Sequence, residues 1–375
     1  MRSFEPARTR AIVIADFGGG GSQRMAVRLA ADWIGRGYEV VVITLSDEAP
    51  DVTALPKGAQ RVALGKTGQS GNPLSAILRN IGRIRALRRA IRASGAREVV
   101  SFVTATNVLA LLACRGLGVT LVISERNDPA RQRLGAMWEW LRRVLYPFAN
   151  SVTANSRQAV SLLSSYVDPS KLIFVPNHLP DWPGPPPAAE ARERIVLAVG
   201  RLHPQKGYDL LLPLFAASAA RARGWRLVIL GEGAERPSIE RLRDALNLGG
   251  CVSLEGYARD VKGWYDRAAI FIMPSRHEGT ANALLEAVSR GLPVIVSRTA
   301  GDAPALVEEL RCGFVVDPED ANAGAAILDH LAENPALRRE LGTAGQTGLA
   351  GLFSSEAIAS AWERAFSVHG ASTAS

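Results

Sequence analysis

Cysteine is scarce: three residues in 375, at Cys114, Cys251 and Cys312. They lie far apart, form no Cys-x-x-Cys pair and have no histidine cluster beside them. The sequence therefore encodes neither a disulfide framework nor a structural zinc site, and a reducing cytoplasm is the expected compartment. Long apolar runs are also missing. The longest uncharged stretch, residues 99–114, is broken by Ser101, Thr104, Thr106 and Asn107 and stops at Arg115. It falls short of the ~20 residues a spanning helix needs, so any membrane contact is expected to be peripheral. Near the start, Glu5, Arg8 and Arg10 stand where a secretory signal would place its apolar core. No Asp-x-Asp occurs, so a metal-bridged diphosphate site of that type has no ligands, and no metal is expected. What remains is an ordinary globular composition, 47% apolar and 21% charged, which excludes a disordered or fibrous chain.

Charge is uneven. Residues 1–180 hold 24 Lys and Arg against 12 Asp and Glu; residues 181–375 hold 20 against 24. The length favours two domains, and the charge split suggests that they face different partners. The basic half suits an anionic surface or ligand.

The apolar pattern repeats. Residues 11–16 (AIVIAD) form a short apolar run, followed by glycines at 18–21, a helical pattern over 24–34 and a second run at 38–45. Strand, Gly-rich turn, helix, strand is the opening of a parallel α/β sheet. Further strands are predicted at 97–103, 119–124, 151–154 and 172–175, with a helix at 108–113. Residues 181–190 (DWPGPPPAAE) carry four prolines and read as a linker. The rhythm then restarts. Strands are predicted at 194–199, 225–230, 251–254, 270–273 and 293–296, and helices at 207–220, 236–248 and 281–289.

Two phosphate motifs fail. The fingerprint Gly-x-Gly-x-x-Gly needs its third glycine for close helix–strand packing. Starting from Gly18 that position is Gln23, and from Gly19 it is Arg24. Gly65-Lys66-Thr67 resembles the end of a P-loop, but Gln60 replaces the first glycine. No nucleic-acid-binding module is present, and the six Trp and Tyr residues of the basic half show no stacking platform.

Two segments carry chemistry. Residues 200–207 (GRLHPQKG) follow a predicted strand and open a helix. Strand C-termini in parallel sheets face the ligand, and Arg201 and Lys206 on that loop suit a diphosphate, one as a fork and the other as a point charge. Residues 278–287 (EGTANALLEA) follow a later strand and turn. Their helix N-terminus is a ready anion site. Glu278 and Glu286 suit vicinal hydroxyls of a ribose or sugar ring. Glu286, set among Leu284, Leu285 and Val288, also needs a partner in a core.

Gly-Arg-Leu-x-x-Gln-Lys-Gly followed by Glu-x7-Glu resembles the donor site of the family-4 retaining glycosyltransferases. Gly231-Glu232-Gly233, Leu254-Glu255-Gly256-Tyr257 and Gly291-Leu292-Pro293-Val294 strengthen the resemblance. It implies an α/β fold of two Rossmann-like doubly wound parallel-sheet domains facing a cleft, the GT-B architecture. Residues 1–180 would form the acceptor domain, 181–192 the linker and 193–354 the donor domain. The helix within 355–375 would cross back to the first domain before a frayed tail. The resemblance further implies a metal-independent transferase using a nucleotide-diphosphate sugar. Arg201, Lys206, Gly200 and the amides of Thr280, Ala281, Asn282 and Ala283 would hold the diphosphate. Glu286 would bind the ribose, Glu278 the sugar hydroxyls, and Tyr257 would lie by the base. Gly19, Gly20 and Gly21 would approach from the first domain. Two departures stand out. Thr280 replaces the family's usual Phe, and Ser124-Glu125-Arg126-Asn127-Asp128-Pro129 stands where many members carry a His. That segment resembles members acting on amino-sugar polysaccharide or lipid-linked intermediates. It nominates Glu125, Arg126 and Asn127 on the acceptor side and favours a UDP-amino sugar. A transferase making a soluble glycoside and a nucleotide-sugar epimerase are the alternatives.

Residues 78–97 interleave seven arginines with Ile81, Ile84, Leu87 and Ile91, and residues 131–148 combine Arg131, Arg133, Arg142 and Arg143 with Trp138, Trp140 and Phe148. Basic helices with Trp and Leu can lie on anionic lipid. The expected location is the cytosolic face of a membrane, where a lipid-linked acceptor would sit.

Overall fold

The computed structural model describes residues 8–18, 21–47, 54–66, 73–126, 135–180 and 182–368. Gly19, Gly20, Asn127, Arg131 and Arg133 lie outside them. The chain divides into two compact units: one from the N-terminus to His178 together with Ile358 onward, the other Leu179–Ala357.

The first unit contains β1 (Thr9–Ile14), α1 (Gly21–Gly35), β2 (Glu39–Thr44), β3 (Ala59–Ala63), α2 (Pro73–Ala93), β4 (Glu98–Phe102), α3 (Thr104–Cys114), β5 (Thr120–Glu125), α4 (Ala136–Leu145), β6 (Ser151–Ala154), α5 (Arg157–Leu163) and β7 (Leu172–Phe174). Its strands run parallel in the order β3-β2-β1-β4-β5-β6-β7. Helices cover both faces, so the central strands are continuously apolar. In β1, Ala11 and Val13 enter one core while Ile12 and Ile14 enter the other, the two-residue period of a strand.

The second unit contains β8 (Ile195–Val199), α6 (Tyr208–Ala217), β9 (Arg226–Leu230), α7 (Arg236–Ala245), β10 (Val252–Gly256), α8 (Val261–Arg267), β11 (Ile270–Met273), α9 (Asn282–Ser289), β12 (Val294–Ser297), α10 (Ala303–Leu310), β13 (Gly313–Val316), α11 (Ala321–Glu333) and α12 (Pro335–Leu352). Its parallel order is β10-β9-β8-β11-β12-β13. Helix α6 stops at Ala217, short of the residue 220 that its apolar pattern suggests. Asp329 takes over the next groups, accepting from the Ser218 hydroxyl at 2.6 Å and from the amides of Ala219 and Ala220 at 3.1 and 3.0 Å. The Pro-rich stretch lies on this unit. Arg290 donates to the carbonyls of Gly184 and Pro185, both at 3.0 Å, and Trp182 packs against the core.

The last helix, α13 (Ser355–Ser367), delivers Ile358, Ala361, Trp362, Ala365 and Phe366 into the first unit's core. That spacing marks one face of a helix. An ion cluster fixes it. Buried Arg10 of β1 donates to Glu98 at 2.6 Å and, as a fork, to both oxygens of Glu363 at 2.7 and 2.8 Å. Its guanidinium also lies 3.8 Å from the Tyr38 ring centre, and hydrogen bonds from Arg10 hold the Glu363 carboxyl below its ordinary range. Glu363→Ala should cost about 1–2 kcal/mol at neutral pH, since Glu363 is partly exposed and Arg10 keeps Glu98. A carboxyl with a depressed folded pKa stabilises above its unfolded value of about 4.3 and loses that contribution as pH falls through the folded value. Chemical denaturation of wild type and variant at neutral and acid pH should show the difference shrinking below about pH 4.

Candidate donor site and the polar core of the first unit

In each sheet the strand order reverses once, between β1 and β4 and between β8 and β11. Loops leaving adjacent strands on opposite sides of such a point open a crevice at the strand C-termini. In the second unit these loops are residues 200–207 and 274–281, the two segments singled out in the sequence.

Glycines let the first loop fit. At Gly207, φ is +67° and an added Cβ would lie 2.2 Å from the Pro274 carbonyl oxygen. At Gly231, φ is +138° and a Cβ would lie 2.0 Å from the Gly200 oxygen, while one at Gly233 would meet the Leu202 oxygen at 2.2 Å. The loop is thus held from the β11 side and from the β9 side. Side chains close it further. Gln205 donates to the His277 carbonyl at 2.9 Å, the Arg276 amide to the Gln205 carbonyl at 2.8 Å, and the Arg276 guanidinium to Asp209 at 2.8 and 2.6 Å.

Lys206 ends a single 3₁₀ turn, and its ammonium lies 2.6 Å from Glu278 Oε1. Ser275 Oγ donates to the same oxygen at 2.6 Å. A Cβ at Gly200 would meet Lys206 Cε at 2.9 Å, so Gly200 leaves room for the lysine stem. Arg201, one residue on, is exposed. Ala281 caps α9, whose first residues are Asn282 and Ala283; Thr280 precedes the cap. Glu286 follows one turn into α9 and accepts from Tyr265 Oη at 2.9 Å. Lys206 and Glu278 are therefore in contact, and Arg201, Thr280 and the start of α9 lie on the same pair of loops. Tyr257 follows β10, 79% exposed, beyond Gly256, whose carbonyl accepts from the Gly231 amide at 2.8 Å. Tyr265, Ser275, Arg276 and Tyr208 do not stand out in the sequence. The apolar setting of Glu286 called for a partner, but only the packing of α8 against α9 identifies Tyr265.

The first unit turns its polar groups inward. Glu125, at the end of β5, is fully buried; its Oε2 accepts from Thr104 Oγ1 at 2.7 Å and from Tyr146 Oη at 2.9 Å. Burial and the Glu125 charge hold the Tyr146 phenol well above its usual range. Arg126 is buried too. It donates to Ser124 Oγ at 2.8 Å, the Val175 carbonyl at 2.9 Å and Asn177 at 3.1 Å, and burial lowers its pKa to about 9. As acceptor-side candidates, Glu125 and Arg126 thus present no exposed charge; they build the floor at the strand ends. Beside them Val103, between β4 and α3, holds φ at +73°. That is strained for a β-branched residue, and such strain gathers at functional sites. Gly21 opens α1.

This arrangement matches known families. The profile described as Glycosyl transferases group 1 matches residues 185–348, and that of the Glycosyl transferase 4-like domain matches residues 20–178. The chain belongs to the family-4-like glycosyltransferases, with the GT-B fold. It is 28% identical over 206 residues to the lipopolysaccharide core biosynthesis glycosyltransferase LpsE of Rhizobium meliloti, covering 55% of this chain and 57% of that one. It is also 28% identical over 257 residues to the GalNAc-alpha-(1->4)-GalNAc-alpha-(1->3)-diNAcBac-PP-undecaprenol alpha-1,4-N-acetyl-D-galactosaminyltransferase of Campylobacter jejuni, covering 68% of this chain and 70% of that one. The match to the first relative thus spans little more than half of its length. A solved glycosyltransferase of Rickettsia africae superposes with a TM-score of 0.79 over 97% of this chain and 98% of its own, at 16% identity.

Gly207→Ala tests the loop packing. The Cβ would collide with backbone, and φ is left-handed, so the cost should be about 2–4 kcal/mol. Thermal melting of the variant, set beside an exposed alanine control such as Gly250→Ala, reads it.

Proposed function

We propose that the protein is a retaining glycosyltransferase that moves a hexose or amino sugar from a nucleotide-diphosphate donor to a saccharide acceptor carried on a lipid or a polysaccharide precursor. The observation that carries this reading is the convergence of Lys206 and Glu278 at the second unit's switch point, with Arg201 and the α9 N-terminus on the same loops. The activity named for the Campylobacter relative supports an N-acetylamino sugar and an acceptor on a polyprenyl diphosphate, and UDP is the favoured carrier.

In this reading Arg201, Lys206 and the first amides of α9 bind the diphosphate, Glu286 the ribose hydroxyls and Glu278 the sugar hydroxyls. The acceptor oxygen forms a bond to the anomeric carbon on the face from which the diphosphate oxygen departs. The carbon–oxygen bond to phosphate breaks, its electron pair stays with the diphosphate, and the acceptor proton passes to a leaving phosphate oxygen. Fixed cations and helix amides stabilise the growing charge, and no metal takes part. Glu125 and Arg126 shape the acceptor side from within the first unit.

A lipid-linked acceptor calls for a membrane surface. No helix among the described residues is long and apolar enough to cross a membrane. On α4 and the turn after it, however, Met137, Trp140, Val144 and Phe148 are exposed, the last by 77%; on α2, Ile77, Leu78 and Ile81 are exposed as well. Exposed Arg85, Arg89, Arg92 and Arg143 lie on the same two helices. We assign these exposed segments to anionic lipid at the cytosolic side of a membrane.

Thermal-shift measurements with UDP, GDP, ADP, CMP and NAD test the donor. At a hundredfold excess over Kd the expected ligand, UDP, adds about 2.7 kcal/mol. Stabilisation by NAD alone would overturn the reading. Lys206→Ala should lower turnover by about a hundredfold with little change in acceptor KM; turnover within a few-fold of wild type would remove Lys206 from the mechanism. Wild type should co-float with phosphatidylglycerol vesicles at low salt, and Trp140→Ser/Phe148→Ser should not. Absence of wild-type co-flotation would overturn the membrane assignment.

A further inference from the structure

Tyr265 is wholly buried on α8, and its hydroxyl points at a carboxylate. The ring packs between Trp182 of the Pro-rich stretch, 5.4 Å between centroids, and Phe271 of β11 at 6.0 Å. Packing alone would be served by phenylalanine. Burying a phenol carries a desolvation cost unless its hydroxyl is matched, and here it donates to Glu286 Oε2 at 2.9 Å, with the Ala283 carbonyl more distant at 3.2 Å. Burial and the Glu286 charge keep the phenol well above its usual pKa, so it remains a donor across the working range. The frame around it is fixed. Arg192 donates to the Tyr265 carbonyl at 2.8 Å, and Arg290 pairs with Asp266 at 2.6 Å while holding the Gly184 and Pro185 carbonyls. Arg192 reaches the Arg290 carbonyl as well. The Pro-rich stretch thus braces α8, α8 presents Tyr265, and Tyr265 meets Glu286.

We propose that Tyr265 is a positioning residue whose hydroxyl fixes the Glu286 carboxylate so that it reads the ribose hydroxyls of the donor, making the site selective for ribonucleotides over deoxyribonucleotides. This rests on the assignment of Glu286 to ribose made above. A rigid carboxylate can accept two hydroxyls in parallel, whereas one free to rotate loses that geometry.

Binding of UDP and 2′-deoxy-UDP, and of GDP and 2′-deoxy-GDP, is measured by titration calorimetry for wild type, Tyr265→Phe, Glu286→Gln and the double variant. Tyr265→Phe keeps the ring between Trp182 and Phe271. It should weaken the preferred ribonucleotide by about tenfold and leave its deoxy counterpart within about twofold. Glu286→Gln should erase the preference, and the double variant should lose nothing further. If Tyr265→Phe keeps the wild-type ribo/deoxy ratio, or weakens both ligands equally, the role of Tyr265 is overturned. If Glu286→Gln erases the preference while Tyr265→Phe does not, the donor reading stands and only this inference falls. If Glu286→Gln keeps the preference, or no ribonucleotide binds wild type, both fall together.

Discussion

The second unit depends on one close passage of backbone: Gly207 against the Pro274 carbonyl. That contact sets how far the loop after β8 stands from the loop after β11. A side chain at 207 would push the loops apart and draw Lys206 away from Glu278. Gly231 and Gly233 press the same loop from the β9 side, so it cannot relax by moving the other way. The ion pair then follows from geometry already paid for by the sheet. Lys206 and Glu278 are mostly buried, and an ion pair in that setting is stabilising only where placement is good and further hydrogen bonds satisfy it; Ser275 provides one. A lysine has three donors, so the ammonium can hold Glu278 and still meet an arriving anion. The two charges keep each other correctly placed before a ligand binds, which is preorganisation rather than stability.

The first unit uses the same plan differently. Its switch-point groups are consumed internally: Glu125 by Thr104 and Tyr146, Arg126 by Ser124, Val175 and Asn177. A buried polar network of this kind favours one arrangement of the strand ends, and the strained Val103 lies beside it, its amide donating to the Ser124 carbonyl at 3.0 Å. The result is a floor at the strand ends whose charges are withdrawn from solvent. Arg10 plays the corresponding role for the architecture, tying β1, β4 and α13 together through two carboxylates and an aromatic ring.

Much of this was legible in the sequence, for identifiable reasons. Central strands such as residues 195–199 and 270–273 are buried on both faces and read as continuous apolar runs. The loop at 200–207 stands out because two cations follow such a strand, and Glu286 because it sits in an apolar stretch where a carboxylate needs a partner. Other elements were illegible. Strand β3 carries Gln60 and Arg61 at a half-buried edge, so neither alternation nor an apolar run marks it. Strand β13 opens on Gly313 and is only half-buried at a sheet edge. Helix α12 contains Gly342, Gly345, Gly348 and Gly351, a composition that argues against a helix on propensity. Tertiary contact overrides it: a Cβ at Gly342 would meet the Gly291 oxygen at 2.2 Å, and one at Gly345 the Cys312 Cβ at 2.7 Å. The Pro-rich stretch reads as a spacer from composition, yet Trp182 and the Gly184 and Pro185 carbonyls anchor it to α8 and α9. The role of Tyr265 was hidden for the same reason. A tyrosine outside every motif, 21 residues before Glu286, gains meaning only when packing brings its hydroxyl to that carboxylate.

Charge distribution carries the last step. The chain from residue 181 onward is net acidic, yet the loop after β8 carries Arg201 and Lys206. A generally basic unit would attract any polyanion and release it slowly. In the proposed reading, an acidic unit with local cations holds a diphosphate only where fixed donors converge. The first half carries the opposite excess, spread over α2 and other exposed segments rather than gathered at the strand ends. In the proposed reading, a diffuse basic surface that also exposes Trp140 and Phe148 suits a broad anionic plane. On that reading the two halves divide anion recognition by scale, point-like in one and planar in the other.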